Sequence, residues 1–446
     1  MKILKNKLVM GTIILTLTGF VTRIIGFFYR IFISQSFGEE GMGIYQLIAP
    51  VMAFSFSLCC AGIQTAISKY VAEENSRQAQ HNTIFILIIS ILLSCSLSIL
   101  TAVVVYSWAD IIAGCILLEP RTAPLLKILA FSFPLSAIHC CINGYYYGLK
   151  EAKIPAFLQL TEQIFRVGSV YLICFLFLKS NHTPPITLAV TGIVIGEASS
   201  TILSLLFILT RFYQFETTSD SLFQVIQQSG FLHFLPKIIC MAAPLSLNRM
   251  IVNLLQSVEA IYIPEKLKQY GFSTSDALSI YGVLTGMALS LILFPCAVTN
   301  SISVLLLPIV SEAEGNGNKK KIAAAIRKSI TWCTILGSIC TILFFLFGKQ
   351  AGLLLFHSDM AGEFVRGLSF ICPFLYITST LGSILHGLGK TFTTFLINIL
   401  SLSIRIASIF WLVPRMGING YLTGLLCGQL FAALACIFCL RKYRSF

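Results

Sequence analysis

The chain has 446 residues, 56% of them hydrophobic and 11% charged, with a formal net charge of +13. Soluble domains carry about 25% charged residues, so this composition excludes a soluble enzyme or binding module. The basic excess fits loops held on one side of a membrane better than a nucleic-acid surface.

The chain opens with Lys2, Lys5 and Lys7 ahead of a long apolar stretch that imitates a signal peptide. It lacks a small-residue cleavage site and continues past Arg23 and Arg30, so it reads as a first permanent helix. A bilayer core of about 30 Å needs roughly 20 apolar residues per helix. On that criterion about twelve spans follow, at 9–36, 42–71, 83–108, 122–148, 154–178, 186–210, 236–263, 278–309, 323–347, 364–388, 392–413 and 417–440. The longest polar connection, 211–235, divides an N-terminal lobe (1–210) from a C-terminal lobe (236–446) and is expected to be a cytoplasmic linker. The 15 cysteines lie mostly within spans, as Cys59, Cys60, Cys140, Cys141 and Cys333 do, and read as small hydrophobes.

With the N-terminus in the cytoplasm, inner loops and termini hold about 18 lysines and arginines, outer loops about 8 and helix interiors about 5. The Lys319–Lys321 run and the tail Arg441, Lys442 and Arg444 are in the inner set. An even number of spans then puts both termini inside.

The halves repeat at an offset of about 239 residues, which aligns Leu129–Ser169 with Leu368–Ser408. Pro134 falls on Pro373, Gly148 on Gly387 and Arg166 on Arg405; after a change of loop length Gly196-Glu197 resembles Gly428-Gln429. The expected fold is thus an all-α polytopic membrane protein of two six-helix lobes in parallel repeat, an arrangement typical of alternating-access transporters.

Charges inside spans are few and functional by default. Arg23 and Arg30, seven residues apart, share one face of the first helix. Guanidinium forks suit a diphosphate, and Arg249, near a break expected at Pro244, is a third candidate. Glu162 and Arg166 at i,i+4 favour an intrahelical ion pair. Arg405 is its repeat partner, and Glu197 and Glu259 are structural or coupling charges. Pro50, Pro134, Pro244, Pro295 and Pro373 are expected to kink spans. Thr299-Asn300-Ser301 could line a pathway or hold helices together.

Gly387-Leu388-Gly389-Lys390-Thr391 imitates the end of a P-loop, but the required first glycine would be residue 384, which is Ile384. The six histidines lack ligand spacing, so no metal is expected. No Ser/His/Asp constellation is visible, and no enzyme activity is expected.

Gly11-Thr12, TRIIGFFYRIFIS (22–34), FGEEGMGIYQLIAP (37–50), AISKYVAEE (66–74), VEAIYIPEKL (258–267) and the eighth span (280–314) together resemble the stage V sporulation protein B group of polysaccharide transporters. That group belongs to the multidrug/oligosaccharidyl-lipid/polysaccharide exporter superfamily. The resemblance implies a MATE-like flippase fold, a V-shaped pair of lobes, a cationic cavity and a lipid-linked saccharide substrate. Arg23 matches an arginine of the group's first-helix motif. Arg30 stands one residue beyond the second, where this chain has Tyr29, and the arginines of helices 2 and 8 have no counterpart.

The function expected is flipping of a lipid-linked oligosaccharide from the inner to the outer leaflet of a bacterial plasma membrane. A peptidoglycan precursor such as lipid II, for the spore cortex, is the substrate the resemblance implies. Arg23, Arg30 and Arg249 would hold its diphosphate. No cofactor is expected; H+, Na+ or the membrane potential would drive transport. Partners would be membrane lipids and cell-wall synthesis proteins, and no nucleic acid. Two alternatives stay open: a cation-coupled exporter of small amphiphiles on the same fold, and a non-transporting scaffold of a cell-wall synthesis complex. The scaffold would have a closed interior with every charge paired.

Overall fold

The computed structural model describes residues 7–180, 184–216 and 231–444, and these form helices and no strand. The principal helices are α1 (Lys7–Leu47), α2 (Ala49–Phe56), α3 (Gly62–Ser76), α4 (Gln80–Ser107), α5 (Ala123–Ala130), α6 (Ser132–Gly148), α7 (Lys153–Lys179) and α8 (Thr187–Glu216). They continue with α9 (Phe231–Tyr270), α10 (Thr274–Gly282), α11 (Cys296–Gly315), α12 (Lys319–Phe356), α13 (Asp359–Leu368), α14 (Cys372–Gly387), α15 (Thr391–Trp411) and α16 (Ile418–Cys439).

Among the described residues ten helices are long and apolar enough to cross a membrane, or eleven when α5 and α6, bent by 44°, count as one span. The first is a 64-residue run, Ile13–Ser76. At about 1.5 Å per residue it is roughly three times the thickness of an apolar core. Gly38, at φ 73 and ψ −176, breaks it. A left-handed φ is open to glycine without a Cβ clash, so the run supplies two of the twelve expected spans.

Contacts divide the chain into two compact units. One is Met1–Ile25 with Ile48–Leu254; the other is Gly26–Leu47 with Leu255–Phe446. This boundary differs from the one hydropathy places at 211–235, of which 217–230 lie outside the described residues. The reason is the packing of α9. Its first half puts Phe234, Ile238 and Ala242 into the first unit's core beside Ile67, Val71, Tyr145 and Tyr146. Further along α9, the Asn253 amide donates to Ala53 O (3.0 Å) and Ser57 Oγ (2.6 Å). The second half of α1 is held in the second unit, where Gln35 donates to Leu355 O (2.8 Å) and Glu39 accepts from Ser358.

Prolines start helices more often than they kink them. Pro50 and Pro373 sit in the first turns of α2 and α14, and Pro295 caps α11. In a first turn the missing N–H has no intrahelical bond to lose. Pro244 is different: α9 runs unbroken through it for 40 residues, which corrects the expected break beside Arg249. Asn300 joins α11 to α14, accepting from Ser379 Oγ at 2.7 Å.

The repeat is visible in packing. A Cβ on Gly196 would meet Arg166 Cβ and Glu162 O at 3.0 Å; one on Gly428 would meet Arg405 Cγ at 3.0 Å and Ser401 O at 3.1 Å. Ser401 is the 239-offset counterpart of Glu162. Each glycine thus lets the last helix of its half lie against an arginine-bearing neighbour. Gly428→Leu is expected to destabilise the protein by about 1–3 kcal/mol, the usual cost of overpacking. Thermal unfolding in detergent measures this, and an unchanged Tm would refute it.

Candidate functional site

A short π-helical segment, Ser57–Ala61, joins α2 to α3. Such a bulge disturbs the regular hydrogen-bond ladder, and backbone groups freed inside a membrane must find other partners. Here Ser94 on α4 donates to Cys59 O at 2.5 Å. Beside this segment lies a pocket of about 180 Å³, lined by Phe56, Cys60, Ser132, Ser136, Arg166 and Glu197 among others.

Below the pocket wall, α6, α7 and α8 bring four ionisable side chains together. Arg166 Nη2 lies 2.5 Å from Glu162 Oε1 on its own helix and 3.8 Å from Glu197 Oε1 on α8. His139 Nδ1 on α6 is 3.0 Å from Glu197 Oε2. That last contact is close enough for an ion pair but off the line of a hydrogen bond, so both atoms are buried without a hydrogen-bond partner. His139 is 8% exposed.

The donor atoms of His139, Glu162 and Glu197 lie within 4.8 Å of one another, close enough to share a metal ion. The spacing of histidines along the sequence did not reveal this grouping. Arg166 already stands against Glu162 as the cation of the cluster, which disfavours a metal there.

The second unit has its own charge centre, built differently. Glu259 on α9 is 5% exposed, and its Oε1 accepts from Arg405 Nε at 2.8 Å and from the Tyr421 hydroxyl. Arg405 Nη2 is 2.5 Å from the same oxygen and also donates to Tyr421 Oη at 3.3 Å. One carboxylate therefore balances one guanidinium.

The three arginines expected to meet an anion have no carboxylate partner among the described residues. Arg23 and Arg249 are exposed, belong to the first unit and make no hydrogen bond or ion pair there. Arg30 is half-buried in the second unit, where its Nη1 donates to Ser290 Oγ at 2.5 Å.

This pattern of charges sits in a chain whose residues 8–312 match the family model described as polysaccharide biosynthesis protein, while residues 270–411 match the MatE model. The chain belongs to the polysaccharide biosynthesis protein family. Stage V sporulation protein B of Bacillus subtilis (strain 168) is 27% identical to it over 433 residues, 96% of this chain and 83% of that relative. Lipid II flippase MurJ of the same organism is 20% identical over 347 residues, 73% of this chain and 62% of that relative. A multidrug resistance MATE family transporter of the MOP superfamily, solved in an inward-facing conformation, superposes with a TM-score of 0.73 at 15% identity, covering 95% of this chain and 94% of that one. This likeness shows the fold. As a member of the polysaccharide biosynthesis family with a MATE fold, the chain is a multi-pass membrane protein of the flippase and transporter group, as its sequence implies.

Proposed function

We propose that the protein flips a lipid-linked oligosaccharide of the peptidoglycan-precursor class, such as lipid II, from the inner to the outer leaflet of the plasma membrane by alternating access. Both termini are cytoplasmic in this reading, and the saccharide is destined for the spore cortex. The observation that carries it is the imbalance of charge within the spans. Glu162 and Glu259 are paired with Arg166 and Arg405, and Glu197 lies against Arg166 and His139, whereas Arg23, Arg30 and Arg249 meet no carboxylate among the described residues. Uncompensated guanidiniums in apolar helices call for an anion, and a diphosphate offers the geometry their forks bind. An exporter of cationic amphiphiles would need free carboxylates instead. A passive scaffold would not need exposed, unpaired arginines such as Arg23 and Arg249.

The test is a flipping assay in reconstituted liposomes with fluorescent lipid II. Hydrogen bonds to charged groups contribute about 1.5–3 kcal/mol each, so Arg23→Ala and Arg249→Ala are each expected to weaken apparent substrate affinity about 10- to 100-fold. Full transport by the Arg23/Arg249 double variant would overturn the assignment of these arginines.

A further inference from the structure

One end of the second unit gathers basic side chains from three stretches far apart in sequence. Residues 311–328, 386–391 and 441–444 hold nine lysines and arginines against two acids, Glu312 and Glu314. The fold brings these stretches together. Ser311 Oγ near the end of α11 donates to Gly387 O at 2.9 Å, which sets the turn carrying Lys390 beside it. The short helix Arg441–Arg444 packs against α12. Its Tyr443 hydroxyl donates to Glu314 Oε1 at 3.4 Å, and Lys390 Nζ lies 5.0 Å from the centre of the Tyr443 ring. Glu312 Oε1 is 3.5 Å from Lys321 Nζ. Both carboxylates are thus engaged, and most of the positive charge is left without one.

The place of this patch on α12 separates it from an ordinary basic loop. Residues three and four apart share one face of a helix. On that rule Lys321, Lys328 and Trp332 lie on the same face as Ile335, Ile339 and Ile342, and all six are exposed. In a spanning helix an exposed apolar face meets lipid tails, and a tryptophan at its edge sits at the level of the headgroups. Trp332 is 66% exposed. Lys328 is one turn, about 6 Å, beyond it, and Lys321 about 10 Å further. Arg327 adjoins Lys328, is exposed too, and neither makes an ion pair among the described residues. These two charges therefore stand at phosphate depth on the lipid-facing side of α12. A cluster of basic residues beside a span attracts anionic lipid through a field that salt screens. A soluble acidic partner would meet the charges but not the apolar face that continues from them.

We infer that this end of the second unit is a binding site for anionic phospholipid, its headgroup phosphate held by Arg327 and Lys328 and its acyl chains lying along α12 from Trp332 towards Ile342. Lys319–Lys321, Lys390 and the Arg441–Arg444 helix supply the surrounding field. The site is independent of what the protein transports.

Trp332 is a built-in reporter of its occupant. The chain has two other tryptophans, Trp108 and Trp411, both exposed, and both are replaced by phenylalanine. The full chain is reconstituted in phosphatidylcholine with a minor fraction of phosphatidylglycerol, one or the other carrying brominated acyl chains that quench tryptophan on contact. Brominated phosphatidylglycerol is expected to quench Trp332 as though enriched about fivefold or more over its share of the bilayer, the effect of one lysine or arginine near the surface. The enrichment should vanish in Arg327→Gln/Lys328→Gln, while brominated phosphatidylcholine still quenches that variant and so shows Trp332 in place. It should also fall as salt is raised to about 0.5 M, a test that needs no further substitution if the variant does not fold.

Equal quenching by the two lipids at equal mole fraction would overturn the proposal. So would an enrichment that survives both the loss of the two charges and high salt. Fluorescent lipid II retained through Arg327 and Lys328, with phosphatidylglycerol not enriched, would give the patch to a transport substrate and overturn the proposal as well.

Discussion

Glu259→Ala is expected to destabilise the protein by about 3–5 kcal/mol, the usual consequence of removing one partner from a buried ion pair. Three donors converge on a single carboxylate oxygen: Arg405 Nε, Arg405 Nη2 and the Tyr421 hydroxyl. Removing that oxygen strands a guanidinium that cannot shed its proton in a site where Arg405 has 19% of its side chain exposed. The loss should be nearly the same across moderate pH, because arginine stays charged throughout. Glu259→Ala combined with Arg405→Leu should recover much of it, since the unpaired charge goes too. Chemical or thermal unfolding of the two variants in detergent measures both numbers. Equal loss in the single and double variants would show that the pair matters only for packing.

Arg166→Met should be comparably damaging for the opposite reason. It leaves Glu162 and Glu197 facing each other without the guanidinium, with side chains only 14% and 13% exposed. Like charges so placed repel strongly in a low-dielectric setting. The loss is expected to be about 3–5 kcal/mol, and Glu162→Gln on that background should restore part of it. A double-mutant cycle on Glu162 and Arg166 should give a coupling of about 0.5–3 kcal/mol, typical of residues in contact. Zero coupling would mean that the contact between Arg166 Nη2 and Glu162 Oε1 carries no energy.

The spans were legible because a bilayer imposes a long, uniform apolar window that no turn chemistry can disguise. Breaks were less legible. Pro295 marks one and Pro244 does not, because proline constrains only its own φ and the preceding turn, and surrounding helices decide whether the axis bends. The buried charges could be picked out singly, since charge is rare in such helices. Their partners were another matter. Glu162 and Arg166 share a helix, so spacing alone pairs them. Glu259 and Arg405 are 146 residues apart, and no local pattern joins them. His139 gave no signal: an isolated histidine in an apolar helix reads the same whether it faces lipid or a carboxylate on another helix. The alignment of Arg166 with Arg405 hinted at two related centres, and that of Gly196-Glu197 with Gly428-Gln429 hinted that the acid beside the first arginine has no counterpart beside the second.

The way each half neutralises its arginine also limits how the halves could be exchanged. The stretch of α1 in the first unit, up to Ile25, contains no acidic residue, so nothing on it could do for Arg166 what Glu259 on α9 does for Arg405. A chain assembled from two copies of its own first half would carry the His139, Glu162 and Glu197 grouping twice and would lose the tether between Glu259 on α9 and Arg405 on α15. One built from two second halves would have that tether twice and no grouping of two carboxylates and a histidine around its arginine. The repeat is therefore not a symmetry of its chemistry: one half answers its arginine with a single carboxylate from a helix distant in sequence, the other with two carboxylates and a histidine from neighbouring helices.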